Sequence, residues 1–182
     1  MRKEYYRVAH STEDYKAFDL GTAFTPDNWN RRLVKGKRGQ SLVGVSLPEL
    51  ILNEGSYTDY QASDLGEVCS YRLMTIIEKN KSPVDTIEWF DVDIRSSMHG
   101  TRKYYFLHFP VIYDVLDNEH TVFIEEEPRS VVIPCLSYEK AKNHHIFAFP
   151  NSYVGFVVSK YLKDKIMDKD CIGLDFSPIQ VI

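Results

Sequence analysis

Asp91 and Asp93 stand two residues apart, with His99 following in the same stretch of chain. Carboxylates beside an imidazole are the groups that exchange protons near neutral pH or hold a divalent cation, so this set defines the acid–base chemistry open to the chain. A hydrolase or transferase would use Asp91, Asp93 and His99. The surrounding pattern argues for a plainer role. From Ile87 to Arg95 the chain alternates with period two, so Phe90, Val92 and Ile94 face one way and Trp89, Asp91 and Asp93 the other. The apolar row must take the core, which leaves both carboxylates on the wetter face of a half-buried strand.

A second set is basic. Arg31, Arg32, Lys35, Lys37 and Arg38 lie on a glycine-punctuated stretch, and Lys35 to Ser41 has the look of a phosphate loop without the Gly-Lys-Ser/Thr ending that reaches phosphate and magnesium. The expectation is a solvated loop or a contact patch for an acidic or phosphorylated partner. A phosphate or nucleic-acid binding module would have to work through these five cations and would lose affinity steeply with salt.

Acidic residues gather at Asp85, Glu88, Asp91 and Asp93, and again at Glu125, Glu126 and Glu127. They are either a solvated face or a negative surface that steers a basic protein partner, with Trp29, Trp89 and some of the twelve tyrosines as anchors. His144 and His145 are adjacent, so on a strand they point to opposite faces, and no third metal ligand is near. His108 sits between apolar neighbours, as a hydrogen-bonded core histidine does. Cys69, Cys135 and Cys171 are odd in number and lack Cys-x-x-Cys spacing. They read as reduced, mostly buried thiols, and no metal or cofactor is expected.

The elements that position these groups are clearest after Asp64. Ser70 is a helix N-cap by type, and Leu73, Ile76 and Ile77 follow at helical spacing, so the pattern predicts a helix over about 67–80. Strands are predicted at 87–95 and 103–113, over His120 to Glu125 and Ser130 to Leu136, and briefly at Ile146 to Phe149. Val157 to Ile166 repeats Val68 to Ile77 with Ser, Leu and Ile in register, and both continue into a strand. The first 60 residues are less regular: Tyr5 to Ala9 reads as a short strand and Thr25-Pro26 as a capped helical turn.

The chain has 182 residues, 43% of them hydrophobic and 26% charged, with 22 Lys+Arg against 26 Asp+Glu for a net charge of −4. That is one ordinary globular domain over 1–182, with an irregular part at 1–60 and a helix/sheet region at 61–182. The negative balance disfavours nucleic acid as a partner. No apolar run approaches the roughly 20 residues of a spanning helix, and the first residues lack an apolar secretory core, so a cytoplasmic location without membrane contact is expected.

The order of features also resembles a known family. A Ser-led helix and strand from Ser70 to Ile94 is followed by an aromatic-rich strand, Tyr104-Tyr105-Phe106-Leu107, and an acidic turn, Asp114-Val115-Leu116-Asp117. The chain ends with Leu162-Lys163-Asp164-Lys165-Ile166 and Gly173-Leu174-Asp175-Phe176-Ser177-Pro178-Ile179. Over about residues 60–182 this is similar to immunity-protein family eleven of bacterial polymorphic toxin systems, formerly a domain of unknown function, with family forty-three a near alternative. The resemblance implies a small non-enzymatic protein that binds and blocks a cognate toxin, with no catalytic residues and no cofactor. Asp91, Asp93, Glu125, Glu126 and Glu127 are then the partner-contacting candidates. The predicted fold is α+β: a mostly antiparallel or mixed sheet with two main helices packed on it, and a possible helix–strand repeat.

Overall fold

The computed structural model of the chain describes residues 3–11, 21–27, 29, 37–124, 130–149 and 155–182. In chain order its elements are β1 (Tyr5–His10), β2 (Ala23–Phe24), β3 (Leu50–Leu52), β4 (Tyr60–Gln61), β5 (Val68–Cys69), α1 (Tyr71–Asn80), β6 (Glu88–Ser96), β7 (Gly100–His108), β8 (Val122–Ile124), β9 (Ser130–Ile133), β10 (Cys135–Leu136), α2 (Tyr138–Ala141), β11 (Ile146–Phe147), β12 (Phe156–Ser159), α3 (Lys160–Met167) and β13 (Leu174–Val181).

Two serines set where the longer helices begin. Ser70 is extended (φ −64°, ψ 163°) and its hydroxyl accepts from Leu73 N at 3.2 Å, so α1 starts at once and buries Leu73, Ile76 and Ile77. Ser159 repeats the geometry (φ −70°, ψ 160°), accepting from Leu162 N at 3.4 Å, and α3 buries Leu162 and Ile166.

The strands form three sheets, with orders β10-β13-β1-β12-β11, β2-β3-β6-β7-β5-β4 and β8-β9. The α+β expectation is therefore overturned. Thirteen strands in three sheets stand against helices of 10, 4 and 8 residues, and the molecule is mostly β among its described residues. The physical reason is length. Strands of two or three residues, such as β2 to β5, are too short to show a period. They exist because distant segments pair with them: Ala23 with Leu52, Leu50 with Ile94, Val68 with Phe106.

The same topology occurs twice. β5 and β6 flank β7, which runs antiparallel to both, and α1 connects them. β12 and β13 flank β1 in the same way, and α3 connects them. The inserted strand follows directly in the first unit. In the second it comes from the other end of the chain, which makes β1 the middle strand of its sheet. α1 and α3 share one core with strands of both sheets, through Leu73, Ile77, Leu162 and Ile166 against Val8, Leu107, Phe156 and Val158. Near the start of the chain, Pro26 O accepts from Trp29 N in a turn, while Thr25 bonds Asp64 through both its amide and its hydroxyl.

Candidate functional site

The β6–β7 hairpin carries the carboxylates that the sequence singles out. Nine residue pairs run from Glu88↔His108 to Ser96↔Gly100, and Gly100 takes the positive φ (73°) that closes the turn. Opposed residues share a face, so Val92, Ile94, Tyr104 and Phe106 form the buried row. Asp91, Asp93, Arg95, Thr101 and Lys103 form the exposed one. Three of its charges are held in ion pairs. Lys103 bonds Asp91 at 2.8 Å and Arg95 bonds Glu49 at 3.0 Å. The Asp91 hydrogen bond raises the Lys103 ammonium above its ordinary value, and the charges of Asp91 and Asp93 push the same way.

His99 is not brought to these carboxylates. Its amide donates to the Ser96 hydroxyl at 3.3 Å, and its ring leans on Tyr57, which stacks on Tyr104 of the buried row. The imidazole and the two carboxylates thus belong to opposite faces of the hairpin.

The basic stretch divides. Arg31, Arg32 and Lys35 lie outside the described residues, and Lys37 is exposed. Arg38 turns inward, pairing with Glu67 at 2.9 Å and lying over the Phe109 ring. Glu125, Glu126 and Glu127 also lie outside the described residues; in sequence they join β8 to β9.

Several other titratable groups hold the fold together. Asp85 is fully buried and accepts from Ser82 N, His145 N and Ile146 N, and from His144 Nδ1 at 2.8 Å. His145 Nδ1 meets the Ser159 hydroxyl at 2.6 Å. Serine, histidine and aspartate are thus neighbours, but Ser159 is a buried helix cap and Asp85 reaches His145 through its backbone amide, which is not a nucleophile relay. Burial alone would raise the Asp59 carboxyl, yet hydrogen bonds from Arg72, Ser70 and Ile172 N outweigh it and hold it below its ordinary value. His108 is a core histidine, bonded to Gln40 O at 2.7 Å and held below its ordinary pKa by burial. Cys69 and Cys135 are buried, and burial followed by the Asp59 charge pushes the Cys171 thiol up to about 11, so all three favour the thiol form. Among the described residues no three His, Cys, Asp or Glu side chains gather where a metal ion could be held. None of the helices described is long and apolar enough to cross a membrane.

One surface was missed by motif reasoning. β8 and β9 form a ribbon separate from both larger sheets, with Val122, Ile124, Val132 and Ile133 exposed. The signal was available as strands apolar on both faces, a pattern that normally means cover on both sides.

Residues 53–181 match the immunity protein family (Imm11). The chain belongs to this family. The match begins before β4 and runs through β13, so it takes in the hairpin, the ribbon and both serine-capped helices, while β1 precedes it. No curated protein matches the chain. Membership gives the chain an immunity role in general.

Proposed function

We propose that this Imm11 protein binds a cognate bacterial toxin domain one-to-one and neutralises it by covering its active site. The observation that carries this reading is the family match over residues 53–181. Occlusion asks for a rigid body presenting a face of standard interface size, roughly 800 Å² per partner, with aromatic or aliphatic anchors and a polar rim. Three sheets sharing cores supply the rigid body. The exposed Asp91 and Asp93, together with Glu125, Glu126 and Glu127, are the acidic groups we assign to the toxin contact, where they would steer a basic partner. The reading requires no cofactor and no catalytic residue, and it places the protein in the cytoplasm, where a toxin must be met before it acts.

The test is co-expression with the toxin-type domain encoded beside this gene, scoring host survival and co-purification together. Rescue with a one-to-one complex is expected; neither rescue nor complex would overturn the pairing. Reversing Asp91 and Asp93 to Lys, and separately Glu125 to Glu127, should each weaken the complex. A complex indifferent to both sets removes the acidic contacts from the reading.

A further inference from the structure

The β8–β9 ribbon departs from the way the rest of the molecule dresses its open faces. Its inner side packs Phe123 and the buried Val131 into the core formed with Leu116, Leu136 and Phe147. Its outer side sets Val122 (48% exposed) directly opposite Ile133 (61%), with Ile124 (46%) and Val132 (45%) beside them. Single exposed aliphatic residues are ordinary, but Val122, Ile124 and Ile133 on one face of a short ribbon, with Val132 exposed at the bulge beside Ile133, make an apolar patch of the kind that marks a contact surface. A lone two-stranded ribbon is marginal by itself. This one is tied at its base, where the Thr121 hydroxyl donates to Cys135 O at 3.0 Å and accepts from Cys135 N at 3.1 Å, and Asp117 N donates to Cys135 O at 2.9 Å.

Charge selects the occupant. The loop leading into β8 holds Asp114, Asp117 and Glu119, against Lys140 on Asp114 and His120 on Asp117. Past Ile124 the sequence continues Glu125-Glu126-Glu127-Pro128-Arg129 into β9, so acid predominates before and after the apolar face. A second copy docking with the two ribbon bases together would set acid against acid, and like-charge juxtaposition opposes association. A basic partner gains there.

We infer that the outer face of this ribbon is an apolar toxin-docking surface, in addition to the acidic contacts proposed above, and that the occupant is a toxin domain presenting an apolar strip bordered by Lys and Arg; this rests on the immunity function proposed above. Val122, Ile124, Val132 and Ile133 are its buried centre, and Glu119 belongs to its acidic rim.

The experiment is titration calorimetry of the full chain against the toxin domain encoded beside its gene, carrying an inactivating substitution. The double variant V132S/I133S and the near-isosteric V122T/V132T are compared with wild type, with thermal unfolding confirming that each is folded. At least tenfold weaker binding by V132S/I133S, a smaller loss by V122T/V132T, and weaker, less salt-sensitive binding by Glu119→Lys would support the assignment. Wild-type binding that both double variants match within twofold overturns the ribbon and leaves the immunity function standing. Absence of wild-type binding overturns the immunity pairing, and the ribbon assignment with it. A wild-type dimer abolished by V132S/I133S would give the face to a second copy and overturn the toxin as occupant.

Discussion

The β6–β7 hairpin and the β8–β9 ribbon are both antiparallel pairs with one face in a core, and they finish the other face in opposite ways. The hairpin's outer row is charged and largely compensated, with Lys103 on Asp91 and Arg95 on Glu49. The ribbon's outer row is aliphatic and open. A partner that covers the hairpin must strip water from paired charges and compete with Lys103 for Asp91, so its gain is in approach rate and orientation. A partner that covers the ribbon removes apolar surface from water, the larger and less directional contribution. Hydrated charged faces keep a protein soluble, whereas an exposed apolar patch marks a contact surface.

The largest expected effect tests whether the hairpin is scaffold. Phe106 lies in its buried row opposite Phe90. Phe106→Ala should cost about 3–5 kcal/mol in a urea titration; a cost under about 1 kcal/mol would end the claim that the hairpin organises its core. On the ribbon, the inward Val131→Ala should cost less, about 1–2 kcal/mol, since a smaller side chain leaves a smaller cavity. An equal or larger loss would make the ribbon as structural as the hairpin.

Acidification should also separate the two regions. His108, at the root of the hairpin, is held below its ordinary pKa by burial, as are His10 and His145. A lowered folded value means that their contribution is complete above the unfolded value, about 6.5, and is lost as pH falls through the folded one. At the ribbon base the His120 hydrogen bond lowers the Asp117 carboxyl, so that contribution persists until pH falls below the unfolded carboxyl value, about 3.9. Between pH 7.5 and 5 the unfolding temperature should drop, with amide exchange accelerating at the His108 end of β7 before the base of β8–β9. A flat profile would contradict the buried-histidine account. The smallest effect belongs to the outer row of the hairpin: Lys103→Ala removes an exposed pair and should leave the unfolding temperature unchanged. A clear drop would show that this row is structural rather than a neutralised surface.

Much of this was legible in local sequence. Ser70 and Ser159 announce their helices because capping is decided within three residues. The alternation through Phe90, Val92 and Ile94 places Asp91 and Asp93 outward because a strand's faces follow from its period. Other features were not legible. The α+β expectation came from weighting two readable helices over strands too short to read. His99, near Asp93 in sequence, leans on Tyr57 instead, because a hairpin turn sends its residues to either face.

By itself, then, the amino-acid sequence determined that Ser70 and Ser159 open helices, which way β6 faces, that His108 belongs to the core, and which family the chain resembles. Only the tertiary structure decided that β1 is the middle strand between β12 and β13, that the strands divide into three sheets, and that the outer face of β8–β9 is left open. Caps and periods depend on neighbours a few residues away. Strand partners and uncovered faces depend on which distant segments meet, and that is settled only when the whole chain packs.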